Sequence, residues 1–155
     1  MHKTINNIIL FIAQGAYSGR FPKAPGTAGT LVGVLLYLVI QNVRLAWYAV
    51  AVLVVTGIGT WAAGAADRVL GTKDSPSIVI DEIAGFLVSM FLIPGTWEFV
   101  AAAFLIFRFF DILKPWPLHG LQKVSGGAGV MIDDIGAGIY TNIILQVAVY
   151  VVEKT

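Results

Sequence analysis

The chain has nine carboxylates in 155 residues, and five of them fall where apolar runs begin or end: Asp81, Glu82, Asp111, Asp133 and Asp134. Solvation alone would not choose those places. An ionisable group inside or beside hydrocarbon is expensive, and by default it marks a functional site facing the interior of a bundle. Two clusters share a pattern, Asp81-Glu-Ile-Ala-Gly85 and Asp134-Ile-Gly-Ala-Gly138, each with a glycine four residues after an aspartate. On a helix those positions share a face, so the bare Gly85 or Gly138 lets a neighbouring helix come close beneath the carboxylate. Asp81, Glu82, Asp133 and Asp134 then supply enough oxygens for magnesium, which prefers oxygen ligands and shares one or two carboxylates with a substrate phosphate. The competing reading is structural: each acid pair marks a helix start, where negative charge complements the dipole by about 0.3–1 kcal/mol. One acid would suffice for that.

Arg108, Asp111 and Lys114 follow at i, i+3 and i+6 in Phe-Arg-Phe-Phe-Asp-Ile-Leu-Lys-Pro-Trp-Pro, one stripe of a helix that Pro115 terminates. Arg108 and Lys114 suit phosphate oxygens, and Asp111 either orients Arg108 or joins the metal and catalytic acids. The plainer alternative is an intrahelical salt bridge, with Lys114 and Trp116 anchored at a membrane interface. Residues 18–30, Ser-Gly-Arg-Phe-Pro-Lys-Ala-Pro-Gly-Thr-Ala-Gly-Thr, place Arg20, Lys23, Thr27 and Thr30 just ahead of an apolar run. Backbone amides at such a helix start receive anions; alternatively the loop is only a turn and Thr30 a cap. The glycine-rich stretch 125–129 carries the same two readings. His119 has no partner visible in the sequence and is left out of the site.

The elements that must position these groups follow from hydropathy. The chain is 57% hydrophobic and 12% charged, with mean hydropathy +0.83, whereas soluble domains carry roughly a quarter charged residues. Uncharged runs at 45–66 and 135–152 meet the spanning criterion of about 18–20 apolar residues. Helices are expected near 30–41, 45–66, 80–93, 97–113 and 133–152, because lipid leaves no other open arrangement. The result is an all-α, multi-pass bundle of about four to five membrane helices, some short, with an amphipathic or half-inserted N-terminal helix. Lys3 and the apolar run 8–13 superficially resemble a signal peptide, but the run is short. Close spacing of Gly57, Gly59, Ala62, Ala63, Gly64 and Ala66 allows tight helix approach.

No linker or repeat divides the chain, so residues 1–155 form one domain. Polar segments at 18–30, 65–82 and 108–134 are long, and those at 41–44 and 94–98 are short. If helical hairpins join the long segments, all three emerge on one face. That face carries Arg20, Lys23, Arg68, Lys73, Arg108, Lys114 and Lys123 against Arg44 and Lys154 opposite, which makes it cytoplasmic by the positive-inside tendency. A net charge of +1 without a basic block argues against nucleic acid. The absence of cysteine excludes thiolate zinc sites, disulfides and a cysteine nucleophile.

At these residues the chain closely resembles the phosphatidylglycerophosphatase A family. The resembling blocks are 18–30 with its Pro-Gly-Thr, Ile80-Asp-Glu-Ile-Ala-Gly85, Phe107-Arg-Phe-Phe-Asp-Ile-Leu-Lys-Pro-Trp-Pro117, and Gly126-Gly-Ala-Gly-Val-Met-Ile-Asp-Asp134 with Ala137-Gly138. The resemblance implies a magnesium-dependent phosphatase of the bacterial inner membrane that converts phosphatidylglycerophosphate to phosphatidylglycerol. It also implies metal and catalytic roles for the Asp-Glu and Asp-Asp acids, and phosphate contacts for Arg108 and Lys114 beside Asp111. Thr30 stands where serine is expected, which keeps the hydroxyl. Direct attack by water and an aspartyl-phosphate intermediate both stay open, as does oligomeric state. A phosphatidyl-transferring enzyme would carry an Asp-Gly-x-x-Ala-Arg core, which is absent, and a cation transporter would place its acids near mid-span.

Overall fold

The computed structural model describes residues 2–121 and 126–154. Among them every regular element is helical: α1 (His2–Ala13), α2 (Pro25–Ile40), α3 (Leu45–Leu70), α4 (Ile80–Ser89), α5 (Trp97–Leu113), α6 (Leu118–Leu121) and α7 (Gly127–Val152). A single 3₁₀ turn, Ser18–Arg20, precedes α2. Lys123 and Ser125 lie outside the described residues.

Local chemistry sets the boundaries. α2 starts at Pro25, five residues before the expected start, because proline's fixed φ suits the first helical position. α3 ends at Gly71, left-handed at φ 67°, whose N–H donates to the Asp67 carbonyl, the usual glycine stop. α5 ends at Lys114, also left-handed at φ 43°, because Pro115 cannot continue a helix. α7 begins at Gly127, six residues ahead of its acid pair rather than at it.

Two described helices, α3 and α7, are long and apolar enough to cross a membrane. α5, of 17 residues, is about 26 Å long and falls just short of a 30 Å hydrocarbon core. Length and composition therefore carry two spans, not the expected four to five. The outward faces are nevertheless apolar on every long helix. Leu35 of α2 is 63% exposed, Leu53 of α3 71%, Leu105 of α5 68% and Val147 of α7 61%, a run of exposed apolar side chains that water-soluble surfaces rarely show.

α4 is the inner element. Of its ten residues, Ile80, Asp81, Ile83, Ala84, Gly85, Phe86, Leu87 and Ser89 are buried, against α2, α3, α5 and α7. It is about 15 Å long, too short to cross. One core cluster gathers Ala62, Ala63, Ala66, Ile83 and Met131 around its first half. The other gathers Tyr37, Phe86, Ala103, Phe107 and Leu145 around its second. α3 and α7 meet through small residues: a Cβ on Gly127 would stand 1.9 Å from the Thr60 carbonyl.

Candidate active site

The first turn of α4 carries Asp81 and Glu82, and α7 crosses directly behind it. A Cβ on Gly85 would stand 2.6 Å from the Asp134 carbonyl, and one on Gly138 would stand 2.4 Å from the Gly85 carbonyl. The two glycines thus let the backbones touch, and the aspartates four residues earlier converge. One carboxylate oxygen each from Asp81, Glu82 and Asp134 lies within 4.8 Å of the others.

Asp81 and Asp134 are buried and Glu82 is half-buried. Asp81 Oδ1, Glu82 Oε2 and Asp134 Oδ2 are buried without a hydrogen-bond partner. Buried polar atoms are normally satisfied, and acids this close lose hydration and repel one another. A set of buried oxygens with no donors facing them is what a hard divalent cation requires. The helix-start alternative separates the two pairs. Asp81 and Glu82 do occupy the first turn of α4, where the dipole favours them. Asp133 and Asp134 sit in the second turn of α7, past the reach of that effect.

Two cations face the trio from the end of α5. Arg108 pairs with Asp111, and its Nη1 lies 3.7 Å from Glu82 Oε1. Its buried Nε has no acceptor. Lys114, turned out of α5 by its left-handed backbone, donates to Asp133 Oδ2 and lies 3.9 Å from Asp111 Oδ1 and 4.0 Å from Asp134 Oδ1. Burial works against the Lys114 ammonium, yet Asp133, Asp134 and Asp111 outweigh it and hold its pKa above the ordinary lysine value. It stays charged across the working pH range. Asp133 stands on Lys114 rather than in the carboxylate trio.

A cleft of about 380 Å³ opens onto these groups, walled by Pro25 and Gly26 of α2, the 74–76 loop, Asp81, Glu82, Arg108, Asp111, Lys114 and Asp134. The three long polar segments of the sequence therefore meet at one end of the bundle. The 18–30 loop contributes less than its composition suggests. Arg20 stacks on Tyr17, 4.1 Å from the ring centroid, and its Nε donates to Gln14 Oε1. Lys23 is exposed and Thr27 half-buried, and neither lines the cleft. Thr30 is fully buried, its hydroxyl donating to the Gly26 carbonyl at 2.8 Å.

Sequence reasoning missed the cleft wall at Asp74, Ser75 and Pro76. Asp67, in the last turn of α3, accepts from the Asp74 and Ser75 amides at 3.0 and 3.3 Å and holds Asp74 at φ 55°. Burial, and then the charge of Asp133, push the Asp74 carboxyl above the ordinary aspartate range. The signal was the run Asp-Ser-Pro between two helices, a composition that shapes turns.

A helical bundle with membrane-length helices and a carboxylate trio faced by two cations defines a membrane-protein class with its polar site at one end. The chain belongs to the phosphatidylglycerophosphatase A family, whose model matches residues 11–149, and it is accordingly a phosphatase. It is 39% identical over 145 residues to phosphatidylglycerophosphatase A of Haemophilus influenzae, covering 90% of this chain and 87% of that one. It is 36% identical over 130 residues to the Escherichia coli phosphatidylglycerophosphatase A, covering 83% and 76%. A Bacteroides thetaiotaomicron protein provisionally named as a phosphatidylinositol-3-phosphatase is 36% identical over 151 residues, covering 92% and 94%. No solved structure matches the chain significantly.

Proposed function

We propose that this chain hydrolyses the terminal phosphate monoester of phosphatidylglycerophosphate, releasing phosphatidylglycerol and inorganic phosphate, with magnesium held by Asp81, Glu82 and Asp134. One observation carries the reading. Three buried carboxylate oxygens without donors stand beside a guanidinium Nε without an acceptor, the complement of a cation and a phosphate together. A divalent cation in that position supplies Lewis-acid stabilisation to phosphoryl oxygens.

The chain's own groups do the rest. Arg108 and Lys114 neutralise charge growing on the phosphoryl and leaving oxygens, and Asp111 orients Arg108. Water adds to phosphorus as the ester P–O bond breaks, and the water's proton goes to a cleft carboxylate, Glu82 or Asp134. The glycerol oxygen takes that proton from the carboxylate and leaves as the alcohol. Arg20, Lys23, Thr27 and Thr30 line no part of the cleft and take no part in this step.

The protein sits in the bacterial inner membrane, with α2, α3, α5 and α7 in lipid around α4 and the cleft facing the cytoplasm. The exposed apolar faces of those four helices and the excess of Lys and Arg at the cleft end support this arrangement. A second reading has one specific support, the relative named for phosphatidylinositol 3-phosphate. It changes the headgroup and leaves the chemistry as it is.

Phosphate release by purified protein in detergent decides between them, with the two lipids side by side and magnesium or chelator present. Magnesium-dependent release from phosphatidylglycerophosphate, lost in Asp134→Asn, supports the first reading. Preference for the phosphoinositide selects the second. No release from either lipid by folded protein removes both.

A further inference from the structure

An apolar groove between α2 and α5 lies beyond the cleft along one face of α5, and we infer that this groove seats one acyl chain of the lipid whose phosphate occupies the cleft. The inference rests on the lipid-phosphatase reading above. Residues 101, 105, 108 and 112 of α5 recur at i, i+4, i+7 and i+11 and so form one helical face. Arg108 and Ile112 of that face line the cleft, whereas Ala101 and Leu105 line the groove. α2 runs the opposite way, with Gly26 at the cleft and Leu31 and Leu38 along the groove. Along this face of α5 the lining therefore changes from charged at Arg108 to apolar at Leu105 within one turn.

The dimensions suit a single chain. The groove holds about 470 Å³, and the stretch of α5 from Arg108 down to Trp97 at its far end rises about 16 Å. One leaflet of a hydrocarbon core is about 15 Å deep. At the cleft end α2 meets α5 at Gly26, where a Cβ would stand 2.9 Å from Arg108 Nη1, so the guanidinium itself stands at the junction of cleft and groove. A second apolar groove, about 500 Å³ between α5 and α7, is lined by Phe99, Ala102 and Ile106, on another face of α5 from Arg108. The rings of Phe110 and Tyr140 meet edge to face at 5.6 Å between it and the cleft.

A chain entering the groove exchanges one apolar medium for another, so the hydrophobic effect adds little. What the groove supplies is direction. It fixes the side from which the headgroup enters and so orients the phosphate on Arg108 and the carboxylates.

The test compares dipalmitoyl and dihexanoyl phosphatidylglycerophosphate in mixed micelles at fixed surface concentration. Ala101→Trp fills the groove, Leu105→Trp does the same from a more exposed position, and Val39→Trp adds equal bulk to α2 outside it. The ratio of kcat/KM for the long-chain over the short-chain lipid should fall about tenfold, or about 1.4 kcal/mol, in the two groove variants and hold at the wild-type value in Val39→Trp. An unchanged ratio in both groove variants, or an equal fall in Val39→Trp, overturns the acyl-chain assignment while the phosphatase reading stands. No phosphate release from either lipid by the wild-type protein overturns the phosphatase reading itself.

Discussion

Gly85 and Asp134 are in backbone contact across the α4–α7 crossing. A Cβ on Gly85 would stand 2.6 Å from the Asp134 carbonyl and 2.7 Å from the Phe107 ring. The contact is rigid on both sides, backbone on one and a fully buried ring on the other. It also sets how far apart the carboxylates of Asp81 and Asp134 stand.

Gly85→Ala should therefore damage fold and site together. Overpacking a close crossing costs about 1–3 kcal/mol, and a crossing that widens to accept a methyl group separates the oxygens now within 4.8 Å. Thermal unfolding in detergent and magnesium titration of activity should both shift, the second toward weaker metal dependence. A variant as stable and as active as the wild type would mean the crossing does not set the carboxylate spacing.

Asp81→Asn separates function from stability. Without a cation, Asp81 contributes a buried acid beside Glu82 and Asp134, and relieving such a group by a neutral residue of the same shape is often stabilising. In chelator the variant should unfold higher than the wild type, by about 1 kcal/mol or roughly 2–4 °C for a chain of this size. Added magnesium should stabilise the wild type and leave the variant unmoved, and activity should fall by at least about a hundredfold, since metal stabilisation of a phosphoryl transition state is worth several kcal/mol. Equal magnesium stabilisation of both proteins would take Asp81 out of the cation site.

How far the sequence reaches is clearest at these helices. Its spacing of aspartate and glycine gave the convergence of α4 and α7, because residues four apart share a helix face wherever that helix packs. It gave the α5 boundaries, 97–113, as observed, because Pro115 stops the helix. It did not give the start of α7, since Gly127 looks like a loop residue until Thr60 and Gly64 of α3 are seen to need it small. Nor did it give the division between Asp133, held by Lys114, and Asp134, which joins the trio. Adjacent acids on a helix point about 100° apart, and only the tertiary neighbours decide which one faces the cleft.

Thr30 shows the same limit in a form that can be measured. Its place in a loop rich in proline and glycine suggested a phosphate contact, yet it lies inside α2 with its hydroxyl on the Gly26 carbonyl. Thr30→Val keeps the shape and removes that bond, an i−4 contact of the kind that contributes about 1 kcal/mol or less. kcat/KM should stay within about threefold of the wild type. A loss of a hundredfold with the fold intact would return Thr30 to the phosphate site.

Gly26→Ala is the counterpart of Gly85→Ala and should behave in the opposite way. A Cβ on Gly26 would stand 2.3 Å from Glu82 Oε1 and 2.9 Å from Arg108 Nη1, the far ends of two flexible side chains rather than backbone. Those ends can move aside, and alanine is the better helix former by about 1 kcal/mol, so thermal stability should hold or rise slightly. The displaced groups are the carboxylate and the guanidinium that meet at 3.7 Å in the cleft, and a displacement of about 1 Å there can cost a hundredfold in rate. The expected outcome is a folded protein, unfolding at or above the wild-type temperature, with kcat/KM reduced between about ten- and a hundredfold. Full activity would show that the Glu82–Arg108 geometry is not used in the reaction, and a collapse in stability would show that Gly26 is packed as tightly as Gly85.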